Sequence, residues 1–501
     1  MHLSRVLHLA SLLLCLALPS LAQRSFIHEL VRVADMSIDE TQEVELSNRL
    51  TAKVKLLAVS ETRDPIRAAI RKATVDVEID GIKATLNCGN YHLPTVVGTV
   101  EVDCPITGGY AGNNRREGGP WGLDKDARLR FWPKGYPYIK PGTFAYPAGQ
   151  RWFASDTQMS NEPVFVDGGE MPSNKGIYYH SGLDIGGAEG MVEVVAATDG
   201  LVVSLGDDVL PGQDVDTPVN ERYDVIYILD RRGWYYRYSH LHSFHEGVEL
   251  GKRVTLGQPL GLLGKEGGSG GWSHLHFEIK SKQPSGKWGT QEGYAFLWNA
   301  YQWENEPSIM AVARPHHFIG VGESITLDGG KSWAKRGKIA SHSWRFTDGA
   351  DASGPTVERT YDKPGVYSEV LKVTDDQGNS DYDFAVVQVV DKVAAESGED
   401  KVPPSLHAVF YPTTGLKPGA PVTFKVRAFR TTHGSETWSF GDGSPPVTVQ
   451  SDGNAVKHAK DGYAVTTHVY EKPGEYIARV ERSNERGEKA IAQVHVHVDA
   501  P

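Results

Sequence analysis

The sequence predicts a mainly β, multidomain protein. The chain has 501 residues, and because a single hydrophobic core rarely serves more than about 250 residues, this length indicates roughly three or four domains. Glycine is frequent, with 54 residues, and tryptophan and tyrosine are plentiful. This composition is typical of β-rich domains with many turns. An internal repeat near the C-terminus supports the division into domains.

Residues 1–22 have the features of a secretory signal peptide. Arg5 supplies a positive charge, residues 6–18 are apolar but too short to span a bilayer, and Ser-Leu-Ala at 20–22 is a small-x-small cleavage site. An uncleaved N-terminal anchor is the alternative. No later stretch is long and apolar enough for a transmembrane helix. We therefore expect a mature protein outside the cytoplasm, either secreted or held in the periplasm or cell envelope.

The net charge argues against nucleic acid as a partner. The formal charge is -11 at pH 7, and the sequence shows no basic footprint of the kind that binds phosphate backbones. An acidic chain also gains no general attraction to an anionic cell wall. Any binding to the wall must therefore come from specific contacts.

Residues 23–140 form a predicted β-rich N-terminal domain. Apolar residues alternate with acidic ones over 75–80, which predicts a half-buried strand. Asp80-Gly81 then predicts a hairpin turn into a strand over 82–86. A further strand is predicted over 96–102, and a helix near 66–71 is an alternative for the less regular segment before them.

Cys88 and Cys104 are the cysteines that remain once the leader is removed. Both follow extended, β-like runs in a protein expected to reach an oxidising compartment, which predicts a disulfide between them. Such a bond would stabilise the fold by about 3 kcal/mol. Two unpaired thiols are the alternative.

Residues 307–391 and 404–499 form the internal repeat. Trp-Arg-Phe-Thr-Asp-Gly at 344–349 corresponds to Trp-Ser-Phe-Gly-Asp-Gly at 438–443, and Tyr-Asp-Lys-Pro-Gly-Val-Tyr at 361–367 corresponds to Tyr-Glu-Lys-Pro-Gly-Glu-Tyr at 470–476. Both repeats resemble PKD domains, which are immunoglobulin-like β-sandwiches. The charged segment 392–403 is a predicted linker. The two domains are expected to act as spacers or to bind a surface protein or polysaccharide.

Two His-x-His pairs occur in the remaining segment, residues 141–302. His274 and His276 lie in a predicted strand, where residues two apart point to the same face. His240 and His242 form the second pair. Such a pair can place two imidazoles on one metal ion, or one on the metal and one beside it. Spacing alone does not decide which pair binds metal.

A third pattern adds a carboxylate. His180 and Asp184 are four residues apart, but Gly182 between them argues against a helix, so a loop or a strand end must bring them together. One aspartate and two histidines would give a metal ion three protein ligands. The open fourth position is the arrangement of a catalytic zinc site.

Five motifs in a fixed order then identify a family. They are His-Ser-Gly-Leu-Asp-Ile-Gly at 180–186, Val-Ala-Ala-Thr-Asp-Gly at 195–200, Tyr-Ser-His-Leu at 238–241, Gly-Gln-Pro-Leu-Gly at 257–261 and Ser-His-Leu-His-Phe-Glu at 273–278. This series resembles the lysostaphin/LytM-type peptidases, peptidase family M twenty-three. The resemblance implies that residues 141–302 form a LytM-type, duplicated hybrid motif-like domain with an open groove.

The resemblance also implies a role for each histidine. His180, Asp184 and His276 match the ligands of a Zn²⁺ ion, and His240 and His274 match the two catalytic histidines. One of these two would accept a proton from water and pass it to the leaving amine, while the other would stabilise the oxyanion. Which histidine has which role stays open. His242 and His245 match no functional position.

Two segments lie outside the motifs that carry the resemblance. The acidic loop 206–224 is longer than the family pattern and is expected to shape the groove. In related enzymes an upstream segment can cover the zinc, and Asn161 and Asp156 lie in the corresponding stretch, 150–166. The N-terminal domain is expected to act as a prodomain or a positioning module.

The chain is thus predicted to be a secreted zinc metalloendopeptidase that hydrolyses peptidoglycan cross-links or stem peptides. One alternative keeps the enzyme but has extracellular proteins as its substrate. The other is a non-catalytic LytM-like regulator or adhesion protein.

Overall fold

The computed structural model describes residues 29–112, 119–165, 169–397 and 401–501. Strands predominate over three short helices, and the predicted mainly β fold class is confirmed. The predicted leader, residues 1–22, lies outside the described residues. Within the described ranges, no helix has the length and apolar character needed to cross a membrane.

Eight strands and one short helix form the N-terminal domain: β1 Arg32–Met36, β2 Thr41–Glu45, β3 Thr51–Arg63, β4 Ile70–Ile79, β5 Ile82–Asn87, β6 Thr95–Val97, β7 Val100–Thr107, α1 Gly108–Gly112 and β8 Ala127–Pro133. They make two antiparallel sheets, with strand orders β1-β8-β7-β6 and β2-β3-β4-β5. One apolar core lies between the sheets.

Alternation of apolar residues explains strand β4. Val75, Val77 and Ile79 are buried, whereas the acidic residues between them are half-buried. The turn that follows needs two left-handed residues, and Asp80 and Gly81 supply them with φ of 50° and 82°. This hairpin agrees with the prediction from the Asp-Gly pair.

Two other predictions for this domain are wrong. The strand predicted over 96–102 is two strands, because Gly98, with φ of 63°, forms a turn between β6 and β7. No helix forms over 66–71. Instead the carboxylate of Asp64 accepts the main-chain N–H groups of Ile66 and Arg67 in a tight turn, after which β4 begins.

The predicted disulfide is not formed. Cys88 and Cys104 lie opposite each other in an isolated parallel bridge, but both are buried free thiols. The Sγ atom of Cys104 lies 3.6 Å from the carbonyl oxygen of Ile106. Burial raises the pKa of the Cys88 thiol well above its usual range. The thiol therefore stays protonated near neutral pH and is a poor nucleophile for disulfide formation.

Twelve strands and one helix form the central domain: β9 Thr157–Gln158, β10 Leu183–Gly186, β11 Glu193–Val195, β12 Gly200–Leu205, β13 Asp208–Val209, β14 Ile226–Asp230, β15 Tyr235–Ser239, β16 Leu241–Phe244, β17 Arg253–Val254, β18 Pro259–Leu263, β19 His274–Lys282, β20 Trp288–Thr290 and α2 Tyr294–Asn305. The larger sheet has the order β13-β12-β14-β15-β19-β10-β9, with β17 on β12 and β20 on β19. A smaller sheet has the order β11-β18-β16. Helix α2 buries Phe296 and Trp298 in the core that also holds Phe277 of β19.

Sixteen strands and one helix follow: β21 Ile309–Met310, β22 His317–Gly320, β23 Ser324–Asp328, β24 Trp333–Ala334, β25 Ile339–Arg345, β26 Asp351–Ser353, β27 Thr356–Thr360, β28 Gly365–Asp375, β29 Ser380–Val390, α3 Lys392–Ser397, β30 Ser405–Tyr411, β31 Pro421–Phe429, β32 Glu436–Ser439, β33 Val447–Val449, β34 Ala464–Val469, β35 Gly474–Ser483 and β36 Lys489–Val498. The equivalent tryptophans of the repeat, Trp344 and Trp438, are both fully buried. Each lies in the core of its own sandwich.

The two sandwiches share one sheet. Its order is β22-β29-β28-β36-β35-β32-β33, and the parallel pairing of Gly365 with Lys489 and of Val366 with Ala490 joins the first sandwich to the second. The predicted linker, 392–403, contains helix α3. The two repeats are therefore joined by main-chain hydrogen bonds between their strands as well as by the segment that connects them.

Candidate active site

The register of strands β10 and β19 brings Asp184 and His276 together. The strands are antiparallel, and Asp184 lies directly opposite His276. The Nδ1 atom of His276 lies 2.8 Å from Oδ1 of Asp184. On the other side of β19, Ser239 of β15 is paired with His276. His276 therefore lies on a central strand, held on both sides.

His180 reaches the same point from the loop before β10. Its Nε2 atom lies 3.1 Å from Nδ1 of His276 and 3.1 Å from Oδ2 of Asp184. Gly182, with φ of 93°, allows this approach, since a Cβ atom there would lie 2.8 Å from the carbonyl oxygen of Phe277. The His180–Asp184 spacing is thus a turn into a strand.

The donor atoms of His180, Asp184 and His276 fit a metal ion. The two nitrogens lie 3.1 Å apart, and each lies within 3.1 Å of one of the two carboxylate oxygens of Asp184. The side chains of His180, Asp184 and His276 are 6%, 4% and 13% exposed. Two imidazole nitrogens and one carboxylate oxygen form a donor set that zinc prefers. We refer to these three residues as the ligand trio.

The electrostatic field of the site favours a cation. Burial alone would raise the pKa of Asp184, but His180 and His274 hold it well below its usual range. The carboxylate is therefore ionised near neutral pH and offers a full negative charge at the point where the trio converges.

His274 and His240 flank the ligand trio. The Nε2 atom of His274 lies 3.6 Å from Oδ1 of Asp184, and the ring centroids of His240 and His274 are 4.6 Å apart. Burial lowers the pKa of both His240 and His274. Both rings are therefore neutral near pH 7, and each can accept a proton.

Main-chain carbonyls define the tautomer of these two rings. Nδ1 of His240 lies 2.6 Å from the carbonyl oxygen of Glu266, and Nδ1 of His274 lies 3.1 Å from that of Trp272. A carbonyl oxygen only accepts hydrogen bonds, so Nδ1 carries the proton in His274. In His240 the same assignment follows from the carbonyl contact, which is shorter than the 3.3 Å between this Nδ1 atom and Nη2 of Arg222. Nε2 is the unprotonated nitrogen of each.

A buried carboxylate that the sequence analysis missed holds His240. Oδ2 of Asp224 accepts the main-chain N–H of His240 at 2.8 Å, and Arg222 donates to the same carboxylate at 2.6 Å. The bond between the main-chain N–H of His240 and Asp224 holds His240 in a left-handed conformation, with φ of 67°. This conformation is strained for a residue other than glycine. Asp224 is the last residue of the loop 206–224, and no local pattern in the sequence separates it from the exposed acidic residues of that loop.

A cavity of about 190 Å³ opens over these groups. Besides the five site residues it is lined by Val164, Tyr178, Ser181, Arg222, Arg237 and Gly268. Of the loop 206–224, which the structure describes completely, Arg222 lines the cavity. The acidic side chains Asp207, Asp208, Asp214 and Asp216 are exposed. The loop thus contributes a cation to the cavity, and its exposed acids lie elsewhere.

The two upstream residues make other contacts. The side-chain amide of Asn161 donates to the carbonyl oxygen of Pro105 at 2.6 Å, and Asp156 lies 3.7 Å from His316. These contacts tie the segment before His180 to the N-terminal domain and to the first sandwich.

A second cluster of metal-ligating types lies nearby and has a different role. It comprises Glu189, His242 and Glu266. Lys265, which is buried, already forms an ion pair with Glu189, and the side chain of His242 is 46% exposed. His245 is also exposed. Glu189 is therefore the counter-ion of a buried lysine.

Comparison with known families agrees with this geometry. Residues 178–287 match the sequence profile of Peptidase family M23, and residues 305–389 and 407–498 each match a PKD domain profile. The first match spans the ligand trio together with His240 and His274.

Three similar solved structures come from bacteria. Lysostaphin from Staphylococcus simulans is 18% identical, with coverage of 47% of this chain and 92% of its own and a TM-score of 0.20. A peptidase M23 from Pseudomonas aeruginosa is 15% identical, with coverage of 54% and 93% and a TM-score of 0.21. Csd3 from Helicobacter pylori is 12% identical, with coverage of 53% and 82% and a TM-score of 0.20.

The assignment rests on the family profiles and on the motif order quoted above. Residues 178–287 form a domain of peptidase family M23, and two PKD domains follow it in the chain.

Proposed function

We propose that this protein is an exported zinc endopeptidase that hydrolyses peptide bonds of peptidoglycan, in cross-links or stem peptides. The observation that carries the proposal is the convergence of the ligand trio beside two buried, neutral histidines. A non-catalytic regulator of this family would not require both the three metal ligands and the two flanking histidines in this arrangement.

The chemistry divides between the ion and the side chains. His180, Asp184 and His276 would hold zinc, and when bound it supplies a Lewis acid that polarises a carbonyl and makes hydroxide available at neutral pH. His240 and His274 both present an unprotonated Nε2. Either ring can accept the proton of the attacking water, and its new N–H then donates to the leaving amine or to the developing oxyanion.

The cavity supports the choice of substrate. Its volume of about 190 Å³ suits small side chains such as those of glycine and alanine. Arg237, on β15, lines it, and its buried Nε atom has no hydrogen-bond acceptor in the described part of the chain. Because Arg237 lines the cavity, a substrate carboxylate bound there would pair with the charge of its guanidinium. Stem peptides combine small residues with free carboxylates.

An extracellular protein substrate receives less support. The acidic loop 206–224 would favour a basic or extended protein chain if its acidic side chains lined the cavity. The exposed acids of this loop are not among the residues that line the cavity. Export through the leader 1–22, to the periplasm, the cell envelope or the medium, belongs to the same proposal. Binding of a surface protein or polysaccharide by the PKD domains stays a prediction.

The central experiment measures metal content and wall digestion together. The chain without residues 1–22 is purified, its zinc is quantified, and release of free amino groups from purified peptidoglycan is followed. We expect about one zinc per chain and measurable digestion, both lost in His276→Ala. The matched control is His242→Ala, which removes an exposed histidine and should retain both.

Two other outcomes of this experiment would contradict the proposed function. Digestion of a glycine-rich protein with no digestion of peptidoglycan would establish the alternative substrate. Zinc binding without cleavage of either substrate would contradict the proposed activity and favour the regulator.

Arg237 provides a separate test of substrate recognition. Arg237→Gln should raise KM for a peptide with a free carboxylate by roughly tenfold or more, since a charge-assisted hydrogen bond contributes about 1.5–3 kcal/mol. The amidated form of the same peptide should be cleaved equally by both enzymes. Equal losses on both peptides would contradict carboxylate binding at this position.

A further inference from the structure

The second PKD domain lies against the segment that leads into His274. This segment, which we name the glycine-rich loop, comprises residues 267–273. Nη1 of Arg427 donates to the carbonyl oxygen of Gly271 at 2.6 Å, and Nδ2 of Asn454 donates to that of Gly270 at 3.1 Å. Two main-chain carbonyls of the loop are thus bound by side chains that lie 156 and 184 residues further along the chain.

Arg427 is a rigid donor. It is fully buried, and its guanidinium forms two parallel bonds with Asp452, at 2.9 Å and 2.6 Å. It also donates to the carbonyl oxygens of Val456 and Lys457, both at 2.8 Å. A planar guanidinium held at so many points has a single orientation, so its bond to the loop has a defined position.

Glycine residues allow the loop to approach its neighbours closely. Gly271 has a φ of 97°, and a Cβ atom there would lie 2.2 Å from Oδ1 of Asn454. On the other side of the loop, a Cβ atom on Gly267 would lie 2.4 Å from Nε of Arg222. Gly267 and Gly271 both have positive φ, of 59° and 97°, which favours glycine, and a side chain at either position would displace the side chain of Arg222 or Asn454.

A third contact reaches the residue just before His274. The main-chain N–H of Ser273 donates to the hydroxyl of Tyr463 at 2.8 Å. That hydroxyl lies 2.7 Å from Nδ1 of His407, whose ring packs edge-on against Trp272 with centroids 5.2 Å apart. Tyr463 and His407, both of the second PKD domain, thus touch the two residues that precede His274.

From these contacts we infer that the second PKD domain completes the active site: Tyr463, Arg427 and Asn454 are positioning residues for His274. They act through the glycine-rich loop and touch neither the ligand trio nor the cavity. The catalytic consequence rests on the proposed peptidase function, whereas the mechanical link between the domain and the loop does not.

The test uses two tyrosines of the same domain in the full chain. Tyr463→Phe removes the hydroxyl that Ser273 donates to. Tyr470→Phe is the matched control, because Tyr470 is also buried and its hydroxyl donates to the main-chain carbonyl oxygen of Phe440 within the domain, at 3.0 Å. Hydrogen exchange of a peptide covering 264–276 is measured by mass spectrometry, together with zinc content, kcat and KM.

We expect faster exchange across 264–276 in Tyr463→Phe and wild-type exchange in Tyr470→Phe. With the proposed activity present, kcat should fall roughly threefold to tenfold, as for the loss of one buried hydrogen bond, while KM and zinc content stay unchanged. Asn454→Gly, which keeps the left-handed backbone of Asn454 and removes its amide, should act in the same direction.

Unchanged exchange over 264–276 in both Tyr463→Phe and Asn454→Gly would overturn the inference. So would equal effects on kcat in Tyr463→Phe and Tyr470→Phe, since these would reflect a general loss of stability. A wild-type protein that cleaves no peptide would count against the proposed function alone, because the exchange measurement still decides the link.

Discussion

The indole of Trp272 stacks on the imidazole of His274, with ring centroids 3.9 Å apart and planes inclined by 17°. Phe165 lies on Trp272 with centroids 6.3 Å apart. The stack covers one face of His274 and keeps water from it. Burial is the main cause of the lowered pKa of this histidine, so Trp272 helps to keep the ring neutral.

Replacement of Trp272 should therefore slow catalysis without removing the metal. Trp272→Leu keeps an apolar side chain but loses the stack, which is worth about 0.5–1.5 kcal/mol, so kcat should fall roughly threefold to tenfold. Zinc content should not change. Trp303→Leu is the control, because Trp303 is 39% exposed on helix α2. An unchanged kcat in Trp272→Leu would show that the stack does not orient His274.

Asp224 should matter through His240. Asp224→Asn weakens the bond to the main-chain N–H of His240 and loses the charge that pairs with Arg222. Loss of a supporting contact of this kind typically costs 10-fold to 100-fold in activity, and we expect that loss in kcat with zinc retained. The exposed Asp208, in the same loop, is the control, and Asp208→Asn should leave kcat within twofold. Equal kinetics in the two variants would refute a positioning role for Asp224.

Arg130 should be critical for the junction between the N-terminal and peptidase domains. Its side chain is fully buried. It donates to the carboxylate of Asp103 at 2.9 Å and to the carbonyl oxygen of Glu292 at 2.6 Å. Arg130→Met leaves the Asp103 carboxylate buried without its partner, which should cost about 3–5 kcal/mol. Thermal unfolding monitored by circular dichroism would show this as a large fall in the midpoint. Arg345→Met, in an exposed pair with Asp351, should cost less than about 1 kcal/mol.

His407 should make the protein sensitive to mild acid. Burial lowers the pKa of His407 to about 4, whereas in the unfolded chain it would be near 6.5. Between these values the unfolded state binds more protons than the folded state. His407 therefore leaves the free energy of unfolding unchanged above about pH 6.5 and lowers it progressively as the pH falls towards 4. The difference corresponds to about 3 kcal/mol.

The His407→Gln variant checks this directly. Glutamine can still accept from Tyr463 and donate to Ser155, which are the partners of His407, but it does not titrate. The fall in unfolding free energy between pH 6.5 and 4 should be smaller by about 3 kcal/mol than in the wild type. His242→Gln, at an exposed position, should follow the wild-type curve. Parallel curves for all three proteins would contradict the prediction.

The predictions from sequence succeeded where the signal is local. The two-residue period of a strand placed His274 and His276 on one face, and Gly182 argued correctly against a helix between His180 and Asp184. The Asp-Gly and Pro-Gly turns of the repeat likewise lie within a few residues of the strands that they join. In these cases neighbouring residues carry enough information to predict the structure.

The predictions failed where a contact bridges distant parts of the chain. The bond between Ser273 and Tyr463 joins residues 190 positions apart, and no periodicity encodes it. Asp224 differs from the exposed acids of its loop only in what folds over it. The expected disulfide depended on the geometry of two buried sulfur atoms, which residue types and spacing do not describe.

The shared sheet of the PKD domains has a mechanical consequence. A flexible linker between two domains extends when a force acts on one of them, and little of that force reaches the other domain. The pairing of β28 with β36 instead transmits the force through main-chain hydrogen bonds. The second domain is in turn fastened to the glycine-rich loop. Tension on the C-terminal half of this protein, as when it is held at a surface, would therefore reach the first residues of β19 and act on the orientation of His274.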